Sequence, residues 1–284
     1  MMRESDEAPW RFSPLRVVGE SLAFTAVHVR EIARWALAPL VFGLGFHLYA
    51  EVRSGGDASA PAFGPLMLLA LLLLWIRVPL EMRLYRLGLL GERPGAPYAQ
   101  ELLTGRSLRY LWAYVRMTFL FAGCVMAVTT ILGSGMGLLE KDAVQPGQAM
   151  PLAFAAAVLG AMGLVYAWLA PRLLLLFPDV ALGGPGRLFP AEGIPLGARR
   201  ARWRILAVAA LVWTPELCLN ALTHAGLGGE RWQAFSGSVW YVAGSFLLGL
   251  LTLVVSCVAG SRMYGLLVPG GPRPEPEPQE SDED

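Results

Sequence analysis

Apolar residues gather into six blocks of about 20, each near the length an α-helix needs to cross ~30 Å of hydrocarbon. They fall at about 32–52, 63–83, 111–138, 150–171, 205–224 and 239–260, with boundaries good to a few residues. A backbone in lipid must satisfy its hydrogen bonds internally, so the blocks predict helices. The expected fold class is therefore an all-α, six-span polytopic membrane protein, with one membrane domain over 13–268. Residues 1–12 and the tail 269–284, "PGGPRPEPEPQESDED", lack an apolar face and are expected to be disordered.

Ahead of the first block, Ser13-Pro14 reads as a helix start, with a capping hydroxyl and proline at the first helical position. Leu15, Val18, Leu22, Ala26 and Val29 then recur every three or four residues. This amphipathic pattern fits either a helix lying at the membrane interface or a cytoplasmic extension packed on the bundle. Short polar or basic segments at about 98–110 and 195–204 precede the third and fifth blocks in the same way.

A repeat follows from these positions. Arg34-Trp35, Arg109-Tyr110 and Arg202-Trp203 mark the starts of the odd-numbered blocks. Arg83, Arg172 and Arg262, spaced 89 and 90 residues apart, mark the ends of the even-numbered ones. Proline-glycine breaks follow at Arg93-Pro-Gly95, Gly184-Pro-Gly186 and Pro269-Gly-Gly-Pro272. The pattern predicts three hairpins, each preceded by an interfacial helix, as parallel copies about an axis along the membrane normal. Interface chemistry alone also places arginine and aromatic residues at such positions.

Composition supports the membrane reading: 55% of the 284 residues are hydrophobic and only 16% charged, against roughly 25% charged in soluble domains. The net charge of +1 hides an asymmetry. Of 23 basic residues, only Arg53, Lys141 and Arg231 lie in the connections after the first, third and fifth blocks. By the positive-inside rule both termini are expected in the cytoplasm. Arginine supplies 22 of the 23, which suggests a GC-rich genome and a bacterial inner membrane, and gives no sign of nucleic-acid binding. No cleavable signal peptide is expected, because the leader lacks a short apolar core with a small-residue cleavage site.

Signatures of soluble enzymes are missing from the sequence. His28, His47 and His224 are scattered without metal-ligand spacing, and Cys124, Cys218 and Cys257 read as buried thiols. No metal, cofactor or catalytic activity is expected. Gly133-Ser-Gly-Met-Gly137 resembles a phosphate-loop fragment but has no preceding strand and no following lysine, so it reads as a loosened helix end. Ala153, Ala157 and Ala161, beside Ala156 and Gly160, form a small-residue face suited to close helix contact.

The candidate site is intramembrane and polar: Glu216, Asn220, His224, Arg77 and Glu81. Counted from Ile205, Glu216 lies about 16 Å deep, where a charge costs roughly 2.5–3.5 kcal/mol, so the acid is expected to be neutral, paired or facing water. Glu216, Asn220 and His224 recur every four residues and form one polar line. Pro215 leaves the Leu211 carbonyl without its usual partner. Arg77 is the expected partner of Glu216, with Glu81 competing one turn away, while Arg116 is expected to snorkel to headgroups. Arg34, Trp35, Arg109, Tyr110, Arg172, Arg199, Arg200, Arg202, Trp203 and Arg204 form the expected interfacial basic and aromatic set.

Arg172-Leu-Leu-Leu-Leu-Phe-Pro178, followed by Arg199-Arg-Ala-Arg-Trp-Arg204 and a new block, carries a family resemblance, to which Leu89-Leu-Gly-Glu92 adds. The chain resembles poorly characterised bacterial six-helix inner-membrane proteins similar to the membrane domain attached to some glycerophosphodiester phosphodiesterases. It departs at Gly197-Ala-Arg-Arg200, where a polar Thr-Arg-Gly-like segment would be usual. The resemblance implies a fold and a location and no established reaction, and this sequence carries no phosphodiesterase domain. The functional expectation is a non-catalytic accessory or scaffold protein that contacts membrane lipids and other membrane subunits. A small-solute or ion permease using the Glu216 line is the alternative.

Overall fold

A computed structural model describes residues 11–54, 63–93, 95–135, 152–186, 194–224 and 238–268. Among these there are nine helices and no strand. They are α1 (Pro14–Val27), α2 (Val29–Ser54), α3 (Phe63–Leu90), α4 (Tyr98–Leu102), α5 (Gly105–Gly135), α6 (Leu152–Leu182), α7 (Leu196–Arg200), α8 (Arg202–His224) and α9 (Val239–Leu267). A shorter helix followed by two longer ones occurs three times in this order. The expected disorder of 1–10 and of the tail falls outside the described residues.

Among the described residues three helices are long and apolar enough to cross a membrane: Gly105–Ser134, Gly160–Leu182 and Val239–Leu267. They mark the chain as a helical membrane protein. The remaining long helices are more interrupted by charge. α3 carries Arg77, Glu81, Arg83 and Arg86 in its second half, and α8 carries Arg202, Arg204 and Glu216.

The helices extend past the apolar blocks. α3, α6 and α9 continue to Leu90, Leu182 and Leu267, whereas the apolar runs end near 83, 171 and 260. α6 passes through Pro171 and Pro178 without ending, because neighbouring helices can accommodate the freed carbonyls. The glycine breaks then supply the stops: Gly91 (φ 64°), Gly183 (φ 99°) and Gly186 (φ 61°) hold left-handed backbone that side chains disfavour. At the other end, Pro14 occupies the first turn of α1 as expected, but the Ser13 side chain makes no capping bond.

Packing gives the order of helices a spatial meaning. α3, α6 and α9 each pack on both of the others and make a central triad. Around it, α2 packs on α3 and α9, α5 on α6 and α3, and α8 on α9 and α6. Each outer helix therefore bridges the central helix that follows it in the chain and one other, and the ring closes from α9 back to α2. α1 lies against α8 and α9 through Val17, Ser21 and Thr25, whose hydroxyls bond within the helix to the carbonyls of Val17 and Ser21. Leu15 and Leu22, from the expected apolar stripe, face outward.

Burial concentrates in the half of each long helix nearest the short helices. It covers residues such as Val78–Leu89 in α3, Ala167–Ala181 in α6 and Thr252–Leu267 in α9. Beyond that half, α5 exposes Phe119 (71%), Met126 and Ile131 (69%). In lipid, apolar residues gain nothing by facing protein rather than acyl chains, so packing has to come from shape and polar contacts. Close approach occurs at the α3–α9 crossing. A Cβ on Gly88 would lie 2.9 Å from Ser261, and one on Gly260 would lie 3.3 Å from the Tyr85 ring. The expected small-residue face on α6 is looser: Gly160 has nothing within 4 Å of a Cβ position, and Ala153 and Ala156 have side chains outside the described set.

Candidate functional site

Glu81 sits in the second half of α3, where the triad is tightest, and is only 2% exposed. A carboxylate so buried requires donors. Tyr110 and Tyr114, one turn apart on α5, present their hydroxyls on one face and donate to its Oε2 at 3.1 and 2.7 Å. Arg77, one turn earlier on α3, donates to Oε1 at 3.4 Å. Phe177 of α6 packs on both tyrosines, with ring centroids 5.2 and 4.8 Å away. Tyr110 was expected at the membrane interface; it is instead wholly buried, because the Glu81 oxygen gives its hydroxyl a partner inside the bundle. Nothing in the local sequence pairs α5 with Glu81, 29 residues earlier, so this network was not legible there.

A cavity of about 300 Å³ opens on the other side of Arg77, between α3, α8 and α9. Arg77, Glu216, Asn220 and Ser245 supply its polar lining, and Trp213 and Phe246 its aromatic lining. Three of the sequence-predicted residues thus meet in one place. Arg77 and Glu216 line the cavity without forming an ion pair, which corrects the expected pairing. Glu81 is one helical turn from Arg77 on the same element and takes the contact, while Glu216 stands across an open space. Glu216 Oε2 and Arg77 Nε are buried without a hydrogen-bond partner. Pro215 precedes Glu216 within α8, and Gly249 keeps the facing side of α9 open, its Cβ position lying 3.7 Å from Glu216 Oε1. His224 closes α8, but its side chain lies outside the described residues, so the polar line is followed only from Glu216 to Asn220. At that end Thr223 and Tyr241 join α8 to α9 through their hydroxyls at 2.5 Å.

The interfacial set divides. Arg34, Arg109, Arg199, Arg200, Arg202 and Trp203 are exposed. Arg109 turns back to the Gly105 carbonyl at 3.4 Å, and Arg202 lies over the Trp203 ring at 5.5 Å. Arg172 donates to the Trp168 carbonyl at 2.8 Å and covers the Trp168 ring at 4.0 Å. Trp35 instead packs against the core, with the Arg83 guanidinium 5.7 Å from its ring centre. Arg204 reaches the Phe12 carbonyl at 3.0 Å. Arg116 was expected to snorkel outward; it donates to the Gly186 carbonyl at 3.0 Å, since the loop after α6 brings an acceptor within reach.

Two of the arginines near the block ends share a further arrangement. Arg83 at the end of α3 pairs with Glu101 on α4 at 2.9 Å and donates to the Ala96 carbonyl at 2.7 Å. Arg262 near the end of α9 pairs with Glu20 on α1 at 2.8 Å. Two of the three central helices, α3 and α9, are thereby each tied to a short helix. Tyr98 of α4 reinforces the first tie by donating to the Ile76 carbonyl at 2.5 Å, and burial pushes its phenol pKa up.

Cys124, Cys218 and Cys257 are free thiols. Among the described residues no group of three or more His, Cys, Asp or Glu side chains is placed to hold a metal ion. No family model, curated protein or solved structure matches the chain.

Proposed function

We propose that this chain is a six-span protein of the bacterial inner membrane with both termini in the cytoplasm. It is built from three copies of an interfacial helix and a hairpin, and it works as a non-catalytic accessory or scaffold through lipid and protein contacts. The closed ring of contacts supports the repeat: every outer helix bridges corresponding neighbours, and the Arg83–Glu101 and Arg262–Glu20 ties occupy corresponding places. The observation that carries the accessory reading is the uneven packing. The bundle is dense near the short helices, while α5 presents Phe119, Met126 and Ile131 to its surroundings. Such a surface suits acyl chains or the helices of another subunit.

Native mass spectrometry of protein released gently from its own membrane, beside a Glu216→Gln variant, tests this reading. The expected result is a reproducible set of membrane protein partners held equally by both proteins. A lone chain with no retained partner would retire the accessory role.

The cavity beside Glu216 favours a second reading, a solute site of a small permease. Its volume is at the lower end of the range for ligand pockets, about 300–1,000 Å³. A small molecule lost on Glu216→Gln substitution would support that reading.

A further inference from the structure

The charges around the cavity do not balance. Arg77 is met by Glu81, and Glu81 receives two phenol hydroxyls as well. All three of these donors are taken up by Glu81, one at Oε1 and two at Oε2. Glu216 is left over. When ionised it gives the cavity a net charge of −1, with Oε2 buried and lacking a donor. Arg77 turns another polar atom, Nε, into the structure without an acceptor. The unmet needs are thus a cation with N–H donors for Glu216 and a hydrogen-bond acceptor for Arg77. Trp213 and Phe246 line the same space, and aromatic faces attract organic ammonium groups by their quadrupole.

We propose that the cavity between α3, α8 and α9 binds a small organic ammonium group carrying a neighbouring oxygen. Glu216 is its counter-ion, Arg77 Nε the donor to its oxygen, and Trp213 and Phe246 the apolar walls. Ethanolamine has this chemistry, either free or as the headgroup of phosphatidylethanolamine. The proposal rests on the solute-site reading and leaves the accessory role untouched. An inorganic anion does not fit, because Arg77 is already neutralised and Glu216 would repel it. A neutral polyol would offer Glu216 no charge-assisted donor.

The test uses the full chain in nanodiscs of phosphatidylglycerol alone, with ethanolamine, glycerol or acetate as probes at equal ionic strength. Ethanolamine at a hundred-fold excess over Kd should raise the thermal midpoint by about 5–10 °C in wild type and leave Glu216→Gln unmoved. Should that variant fail to fold, Gly249→Ala provides the check. Its methyl would lie 3.7 Å from Glu216 Oε1, an ordinary contact, narrowing the cavity while keeping the charge, so the shift should shrink. In mixed nanodiscs, native mass spectrometry separates the sources. Selective retention of one phosphatidylethanolamine, lost with Glu216→Gln, assigns the headgroup; a response to free ethanolamine alone assigns a soluble ligand. Equal shifts in wild type and variant, or neither shift nor selective retention, would overturn the proposal. A Glu216-dependent response to glycerol or acetate instead would overturn the ammonium assignment and keep the solute site. Silence from all three probes and both lipids would end both.

Discussion

Replacing Arg77 with leucine removes one of three donors from a carboxylate that is 2% exposed. Breaking a buried ion pair from one side generally costs about 3–5 kcal/mol, since the remaining charge stays desolvated. Three features reduce that figure here. The Arg77 side chain is 31% exposed, its contact with Glu81 is long at 3.4 Å, and Tyr110 and Tyr114 still hold the other oxygen. The expected loss is therefore ~2–3 kcal/mol. Glu81→Gln removes the charge but keeps an acceptor and the shape, so the double variant Arg77→Leu/Glu81→Gln should recover part of the loss, with a coupling of ~1–2 kcal/mol. The parallel cycle of Arg77→Leu with Glu216→Gln should couple by less than ~0.5 kcal/mol, because the two groups share a cavity without an ion pair. Reversible unfolding in mixed detergent micelles, followed by tryptophan fluorescence, measures both cycles. An unaffected Arg77→Leu protein, or a larger coupling to Glu216 than to Glu81, would refute the reasoning.

Other expectations follow from particular contacts. Tyr114→Phe should cost ~1.5–3 kcal/mol, as a hydrogen bond to a charged group, and more than Tyr110→Phe, whose bond is longer at 3.1 Å against 2.7 Å; the same unfolding assay ranks them. Gly88→Ala brings a methyl to 2.9 Å from buried Ser261 at the α3–α9 crossing and should destabilise by ~1–3 kcal/mol, whereas Gly160→Ala on α6, with no neighbour within 4 Å, should be close to neutral. Glu101→Gln should loosen α4 from Arg83 and raise amide hydrogen exchange over 96–104 while sparing 252–267.

Much of the element order was legible in the sequence, because a lipid solvent forces apolar runs of a set length and glycine breaks mark their ends. The breaks expected at 93–95 and 184–186 fall just past the ends of α3 and α6, where Gly91, Gly183 and Gly186 hold left-handed backbone. Part of the site was legible too: Arg77, Glu216 and Asn220 were singled out as polar residues in apolar surroundings, and they line one cavity. The Arg77–Glu81 contact was legible as the competing pair one turn apart, but the tyrosine donors to Glu81 were not. Partner choice depends on which helices touch, and no periodicity along one helix encodes the neighbour that will supply a donor. Tyr110 shows the limit. Beside Arg109 at the start of an apolar run it reads as an interfacial aromatic, yet its register on α5 turns it onto Glu81 while Arg109 stays exposed. Small side chains permit close approach, but only a facing helix at the right depth, as α9 with Ser261 is for Gly88, makes one; Gly160 of α6 has no such neighbour.

Cysteine-scanning topology mapping in a cysteine-free background tests the central claim of six spans in three parallel hairpins most directly. Single cysteines would replace Asp57, Glu92, Gln145, Glu192 and Glu230, and intact inner-membrane vesicles of known orientation would be treated with a membrane-impermeant maleimide. The account predicts labelling at 57, 145 and 230 from the periplasmic face and at 92 and 192 from the cytoplasmic face. Positions 57 and 92, or 145 and 192, labelling from one side would remove a span and contradict the three-hairpin architecture.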